Sequence, residues 1–219
     1  KLAASLDGEV FFKDFRLNLA KGDKVIVYAK DTRAISAFYN ILMGTAQADQ
    51  GTFSWGITTS QAYLPVDHDA YFENAMSLVD WLRQYAKTEE EKEEVFLRGF
   101  LGKMLFSGEE ALKQCNVLSG GEKVRCMLSK MMMERANVLL LNEPTNHLDL
   151  ESITAFNNSL NNFKGTLLCS TSDHAFSQSL GTRIVELTPS GVIDRHMLFD
   201  EYMTDPKIKE LRSKLTSGA

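Results

Sequence analysis

Two short motifs constrain the fold of this chain more than any other part of its sequence. The first is residues 118–122 (LSGGE), followed by a predicted helix over 123–134. Serine and glycine at a helix start leave backbone N–H groups open and let a phosphate approach closely. The second is an apolar, strand-like run over 138–141 that leads into Asn142 and Glu143. Such a strand delivers the Glu143 carboxylate at its C-terminal end, which is where ligands bind in parallel α/β sheets.

Short apolar runs that alternate with helical segments recur along the chain. The predicted elements of this kind are strands at 25–28, 166–169 and 183–187 and helices at 36–42, 150–163 and 172–180. Residues 29–34 are predicted as a loop between the first of these strands and its helix. This alternation indicates the α/β class, with a mostly parallel core sheet and helices packed on it.

The remaining segments predict an antiparallel β patch and a helical subdomain. Alternating apolar and polar residues over 11–19, with further strand-like runs at 51–55 and 57–64, indicate the β patch. Apolar residues at helical spacing over about 67–117 indicate the helical subdomain. The 219 residues are interpreted as one domain, 1–219.

Composition narrows the function classes. The chain carries 24 basic and 29 acidic residues, which argues against the whole domain serving as a nucleic-acid-binding surface. No apolar run approaches about 18 residues, so no membrane span is predicted. Three scattered cysteines are interpreted as reduced thiols of a cytoplasmic protein. The chain begins at Lys1 and ends in residues 216–219 (TSGA), which we interpret as a domain cut from a longer protein.

The two motifs together resemble the ATP-binding cassette (ABC) family of ATPases. Residues 118–122 match its signature, 138–142 its Walker B strand and 146–149 its D-loop. The wording of 143–150 (EPTNHLDL) is similar to the ABC-F subfamily, and the chain resembles the second cassette of two-cassette members over nearly its whole length. Other segments that carry the resemblance are 81–84, 100–110, 117–128 and 150–158. It implies a P-loop NTPase-like cassette that uses ATP and Mg²⁺.

The resemblance also implies partners and a location. Two cassettes of this family dimerise head to tail, so that each ATP lies between the P-loop of one and the signature of the other. The expected partner is therefore the first cassette of the same polypeptide. A member of the ABC-F subfamily is expected to be a cytoplasmic, ribosome-associated translation factor rather than a transporter.

The segment that should form the P-loop departs from the family pattern GxxxxGK[ST]. Counted back from Gly44, the two glycines are replaced by alanines and the phosphate-binding lysine by Ile35, while Ser36 keeps the hydroxyl that would meet Mg²⁺. Each added Cβ costs on the order of 1 kcal/mol if its φ is positive. Loss of the lysine removes a charge-assisted contact of roughly 1.5–3 kcal/mol. The candidate nucleotide-binding residues of this segment are Ala29, Lys30, Asp31, Thr32, Arg33, Ala34, Ile35, Ser36 and Ala37.

Three further positions are altered, while the signature is intact. Asn142 replaces the Walker B aspartate of the metal site, Val66 the Q-loop glutamine and Ser172 the switch histidine. The residues that the family donates across the dimer are all present. They are Ser119, Gly120, Gly121 and Glu122 of the signature and the D-loop with Asp149.

The catalytic candidate is Glu143, a carboxylate of the right type to orient or deprotonate a water beside a phosphate. It would serve this chain's own P-loop. Alternatively, Glu143 is an evolutionary remnant without a catalytic role, or it is a structural group that caps the following turn.

Several hypotheses remain open from the sequence. The first is a degenerate second cassette that completes the ATP site of a partner. The second is a catalytically dead interaction module, and the third is a competent ATPase in which Lys30 or Arg33 replaces the missing lysine. A transporter ATP-binding subunit is a weaker variant. The first hypothesis predicts hydrolysis by the isolated domain at or near background and no functional homodimer.

Overall fold

The computed structural model describes residues 2–6 and 8–217, which form two compact units. The last two residues of the 216–219 segment lie outside the described residues. The first unit holds the described residues of Lys1–Tyr63, Asn137–Asn142 and Lys164–Ala219. The second unit is Leu64–Ala136 with Glu143–Phe163.

The strands of the described residues form two sheets. Their bounds are β1 Leu2–Leu6, β2 Glu9–Phe15, β3 Lys24–Ala29, β4 Gln61–Leu64, β5 Val138–Asn142, β6 Thr166–Ser170, β7 Arg183–Thr188 and β8 Gly191–Arg195. β1 and β2 form an antiparallel pair. The larger sheet has the order β4-β5-β6-β3-β7-β8. Within it β5, β6, β3 and β7 pair in parallel, whereas β8 runs antiparallel to β7.

The core of the first unit lies where the β2 phenylalanines meet the first helix. The helices of this unit are α1 Thr32–Leu42, α6 His174–Leu180, α7 Phe199–Thr204 and α8 Pro206–Ser217. Phe38 of α1 is fully buried, with its ring 4.8 Å from Phe15 and 6.0 Å from Phe12 between centroids. The apolar residues of β3, β5 and β7 complete the same cluster. The buried strand runs are thus where the sequence predicted them.

Three expectations for this unit are wrong. The run over 57–64 was expected in the antiparallel β patch, but only Gln61–Leu64 is a strand, and it lies beside β5 at the edge of the six-stranded sheet. Helix α1 begins at Thr32, not at Ser36, because Asp31 caps its first turn and no glycine-rich loop has to be accommodated. The run over 51–55 is not a strand: it has no regular structure, and the Trp55 indole N–H donates instead to the Leu42 carbonyl at 3.2 Å.

The second unit is mainly helical. Its helices are α2 Leu78–Arg83, α3 Glu94–Lys103, α4 Gly120–Glu134 and α5 Leu150–Asn162, with 3-10 turns at Asp69–Phe72, Glu90–Lys92, Gly108–Leu112 and Cys115–Val117. Trp81 anchors its core, since its ring stacks on Phe72 and its indole N–H donates to the Tyr71 carbonyl at 2.7 Å. No helix within residues 2–6 and 8–217 is long and apolar enough to cross a membrane.

Candidate functional site

The predicted P-loop segment leaves only a two-residue connection between β3 and α1. β3 ends at Ala29 and α1 starts at Thr32, so only Lys30 and Asp31 lie between them. Thr32 is exposed and Ala37 is half-buried on the helix. Ala34 and Ile35 are 2% and 5% exposed, and both belong to the apolar core. The residue at the lysine position therefore faces the core.

An acidic side chain of this chain occupies the N-terminus of α1. The Asp31 carboxylate accepts the Arg33 backbone N–H at 3.0 Å and the Arg33 guanidinium Nη2 at 2.6 Å. The same guanidinium nitrogen donates to Glu9 of β2 at 2.8 Å. The hydrogen bond to Asp31 is the main cause of a raised pKa of Arg33, and the hydrogen bond to Glu9 is the second. The same hydrogen bond between Arg33 and Asp31 lowers the pKa of Asp31. A helix N-terminus attracts anions, and at the start of α1 the capping group is itself an anion, the Asp31 carboxylate.

Replacing Asp31 tests this cap directly. We expect Asp31→Ala to lower the free energy of unfolding by about 1 kcal/mol at pH 7, and Asp31→Asn, which retains a capping oxygen, to lower it less. Because the folded-state pKa of Asp31 is lowered, its stabilisation is present above the ordinary carboxyl pKa and is lost as pH falls through the folded-state value. Urea unfolding of both variants at pH 7 and in acid is the measurement. Equal stability of Asp31→Ala and the native chain at pH 7 would contradict the capping role.

The two predicted metal ligands lie together in a neutral network. The Asn142 amide Nδ2 donates to Ser36 Oγ at 3.1 Å, and Asn142 Oδ1 accepts from Ser170 Oγ at 3.0 Å. Tyr63 also hydrogen-bonds to Asn142, which offsets part of the rise in the pKa of Tyr63 caused by burial. Asn142 is 4% exposed. The position that carries an acid in the family pattern is here a buried amide with hydrogen-bond partners on both atoms.

A cavity of about 420 Å³ borders the start of α1. Lys30, Asp31 and Arg33 line it on one side, and residues of β2 and the end of β7 line the other. A larger cavity of about 960 Å³ lies at the amino-terminal ends of β5 and β6. None of the predicted site residues, all of which fall in the described part of the chain, lines that larger cavity.

The predicted signature forms the start of α4 in the second unit. Ser119 is the N-cap: its Oγ accepts the Glu122 backbone N–H at 3.2 Å, and its own N–H donates to Glu122 Oε2 at 2.9 Å. This reciprocal pair is a capping box, which fixes the first turn of the helix. Ser119 and Gly120 are exposed. The serine hydroxyl proton and the exposed end of a 15-residue helix therefore remain available to an anion.

The signature packs against the D-loop through Gly121. A Cβ added at Gly121 would lie 2.3 Å from the backbone oxygen of His147, and a Cβ at Gly120 would lie 3.2 Å from the His147 ring. His147 has a φ of +64°. Only glycine at 121 permits this approach, so the two motifs that the family donates across a dimer are brought together.

The other predicted site residues fall in separate places. Glu143 follows β5 directly, is half-buried and has a φ of +52°. Asp149 caps α5, where its Oδ1 accepts the Ser152 N–H at 2.8 Å. Ser172 is exposed between β6 and α6. The structure groups Ser36 with Asn142, and the signature with the D-loop.

Three residues that sequence reasoning missed contact the predicted ones. Glu9 pairs with Arg33, Ser170 hydrogen-bonds to Asn142, and the Lys113 ammonium lies 2.6 Å from the Glu122 carboxylate. None of them stands in a motif. Their partners are set by tertiary packing, so no local sequence signal could have identified them.

A mostly parallel sheet, an antiparallel strand pair and a Ser-Gly-Gly helix start beside a D-loop define the class of ATP-binding cassettes. A family model described as "ABC transporter" matches residues 13–146. The chain belongs to this family, whose cassettes bind ATP with Mg²⁺. This confirms the predicted α/β cassette fold.

A relative in Bacillus subtilis agrees with this assignment, and solved structures share the fold. The chain is 49% identical over 215 residues to the "Uncharacterized ABC transporter ATP-binding protein YkpA" of Bacillus subtilis, covering 98% of this chain and 39% of that protein. It is thus similar to well under half of that relative's length. A solved ATP-binding subunit of an ABC transporter matches with a TM-score of 0.80 at 19% identity, covering 98% and 97% of the two chains. The cassette MJ0796, solved as a dimer bound to ADP and Pi, matches with a TM-score of 0.69 at 16% identity, covering 90% and 95%.

Proposed function

We propose that this chain is an ABC-F-type cassette that completes the ATP site of a partner cassette, while its own P-loop segment does not hold Mg-ATP. One contrast between two helix starts carries the proposal. The start of α1 already holds the Asp31 carboxylate, whereas the start of α4 presents an ordered, exposed Ser119. The group that caps the first helix is itself an anion, whereas the group that caps the second is a neutral hydroxyl, so an anion is favoured at the second helix start.

Mg-ATP does not fit the chain's own segment. A triphosphate at the start of α1 would meet the Asp31 carboxylate, and the Arg33 guanidinium that could attract it is paired with Asp31 and Glu9. This pairing also disfavours Arg33 as a substitute for the missing lysine. At the metal position, Ser36 Oγ is hydrogen-bonded by a neutral amide rather than faced by a carboxylate. Hard divalent cations prefer charged oxygen ligands, which this pair does not supply.

The poor fit of Mg-ATP to this segment also argues against a catalytic role for Glu143. With no nucleotide in this chain's own segment, Glu143 has no water beside a γ-phosphate to orient there. We therefore assign ATP hydrolysis to the partner's site. The role of this chain is to donate its signature and D-loop to that site. A homodimer would pair a good signature with a poor P-loop twice, so we propose that it is not functional.

The partner is proposed to be a second cassette of the same polypeptide. The cassette MJ0796, which is similar to this chain in fold, was solved as a dimer bound to ADP and Pi. The chain spans 39% of YkpA, which leaves room in a protein of that length for another cassette. A cytoplasmic role on the ribosome in translation is proposed on the ABC-F wording of residues 143–150 alone.

The test is ATP hydrolysis by a two-cassette polypeptide that contains this chain and an intact partner. We expect Ser119→Arg to abolish the stimulation that this chain gives to the partner, because a long cation replaces the capping hydroxyl and blocks the γ-phosphate position. Ser107→Arg is the matched control, since Ser107 is also an exposed N-cap in a capping box, but outside the signature. Unchanged hydrolysis in Ser119→Arg would refute the proposal and favour an interaction module.

A further inference from the structure

We propose that Lys113, which lies outside the signature, is a positioning residue that neutralises Glu122 so that Ser119 meets the partner's γ-phosphate without a like charge beside it. The proposal rests on the function proposed above. It assigns a role to a residue that belongs to none of the cassette motifs.

The two oxygens of Glu122 have separate partners. Oε2 accepts the Ser119 backbone N–H at 2.9 Å, and Oε1 lies 2.6 Å from the Lys113 ammonium. The Glu122 side chain is 16% exposed, whereas that of Lys113 is 43% exposed. Burial alone would raise the pKa of Glu122, but the Lys113 hydrogen bond, the Ser119 N–H and nearby positive charges together lower it. Glu122 is therefore a carboxylate at neutral pH.

An unneutralised carboxylate at this place would oppose anion binding. Glu122 lies in the first turn of α4, next to the helix end that would receive the γ-phosphate. A carboxylate there offsets the partial positive charge of the helix N-terminus. Its repulsion of a phosphate is strong where the interface excludes water. The Lys113 ammonium cancels this charge while Glu122 keeps its capping hydrogen bond.

Lys113 is held in place by the backbone around it. Its carbonyl accepts the Leu78 N–H at 3.0 Å at the start of α2, and the next residue forms a bridge with Ser77. Other cations near the signature have different partners. The Arg125 guanidinium donates to the Met104 carbonyl at 3.3 Å, and the Lys123 ammonium pairs with Asp69 at 2.7 Å. Among the described residues, Lys113 is therefore the cation in direct contact with Glu122.

The experiment is a double-mutant cycle on ATP hydrolysis by the two-cassette polypeptide, with the Mg-ATP concentration varied. Lys113→Ala is expected to lower kcat/KM about fivefold, because one charge at a helix end changes an interaction there by about that factor. Lys113→Arg should restore it. In a Glu122→Gln background, where glutamine still completes the capping box, Lys113→Ala should have no effect because no charge remains to neutralise.

Two controls separate this inference from a structural role and from the proposed function. Thermal unfolding should show that Lys113→Ala, Glu122→Gln and the double variant all fold like the native chain. An equal loss of kcat/KM from Lys113→Ala in both backgrounds, or no loss in either, would overturn the positioning role. Ser119→Arg in the same assay reports on the proposed function by itself. A loss there without coupling between Lys113 and Glu122 would leave that function standing and reject this inference alone.

Discussion

Substituting Ile35 by lysine, the residue that the family pattern has at this position, is expected to destabilise the chain by more than about 3 kcal/mol rather than to restore ATP binding. Ile35 is 5% exposed and packs in the core cluster of the first unit. The substitution removes apolar packing and places an ammonium among apolar side chains. Neither change opens the two-residue connection or removes the Asp31 carboxylate from the start of α1.

Urea unfolding and calorimetric titration with Mg-ATP, at about 0.15 M salt, measure both halves of this expectation. Ile35→Val is the packing control and should cost about 1 kcal/mol. Thr32→Lys places the same cation at an exposed position in the first turn of the same helix and should cost less than about 1 kcal/mol. Micromolar Mg-ATP binding by a stably folded Ile35→Lys chain would show that the segment still forms a phosphate loop. It would also return Glu143 to the role of a working catalytic residue.

The strands were predictable because their signal is local. The runs that become β5 and β6 are short, continuously apolar over most of their length and fully buried, and those of β3 and β7 are mostly apolar and buried, which is the pattern of parallel strands covered on both faces. The start of α1 was misplaced because residues 29–34 were predicted as a loop that follows β3. The local signal, an aspartate before a helical run, predicts the observed cap.

The site was predictable by residue type but not by contact. Ser119 and Glu122 stand three residues apart, so their capping box can be read from the sequence. Arg33 and Glu9 are 24 residues apart, and their pairing depends on where β2 lies beside α1. The need for glycine at 121 is likewise invisible locally, because it arises from the backbone oxygen of His147.

Gly121→Ala is expected to cost about 2–3 kcal/mol of stability, the magnitude of a core overpacking change, and to abolish stimulation of the partner cassette. The new Cβ would lie 2.3 Å from the His147 carbonyl oxygen and 3.3 Å from its carbonyl carbon. Backbone atoms cannot rotate away as a side chain can. The D-loop and the signature must therefore move apart, which displaces both groups that the partner's site would use.

Gly120→Ala is the matched control for this effect. Its Cβ would lie 3.2–3.3 Å from Cγ, Cβ and Cδ2 of His147, contacts that require a shift of a few tenths of an ångström, whereas the 2.3 Å contact of Gly121 requires much more. Because Gly120 itself belongs to the signature, Gly120→Ala is a control for stability only, and urea unfolding separates the two variants. If both variants unfold at the same urea concentration as the native chain, the close approach of Gly121 to the D-loop does not determine the geometry of the signature.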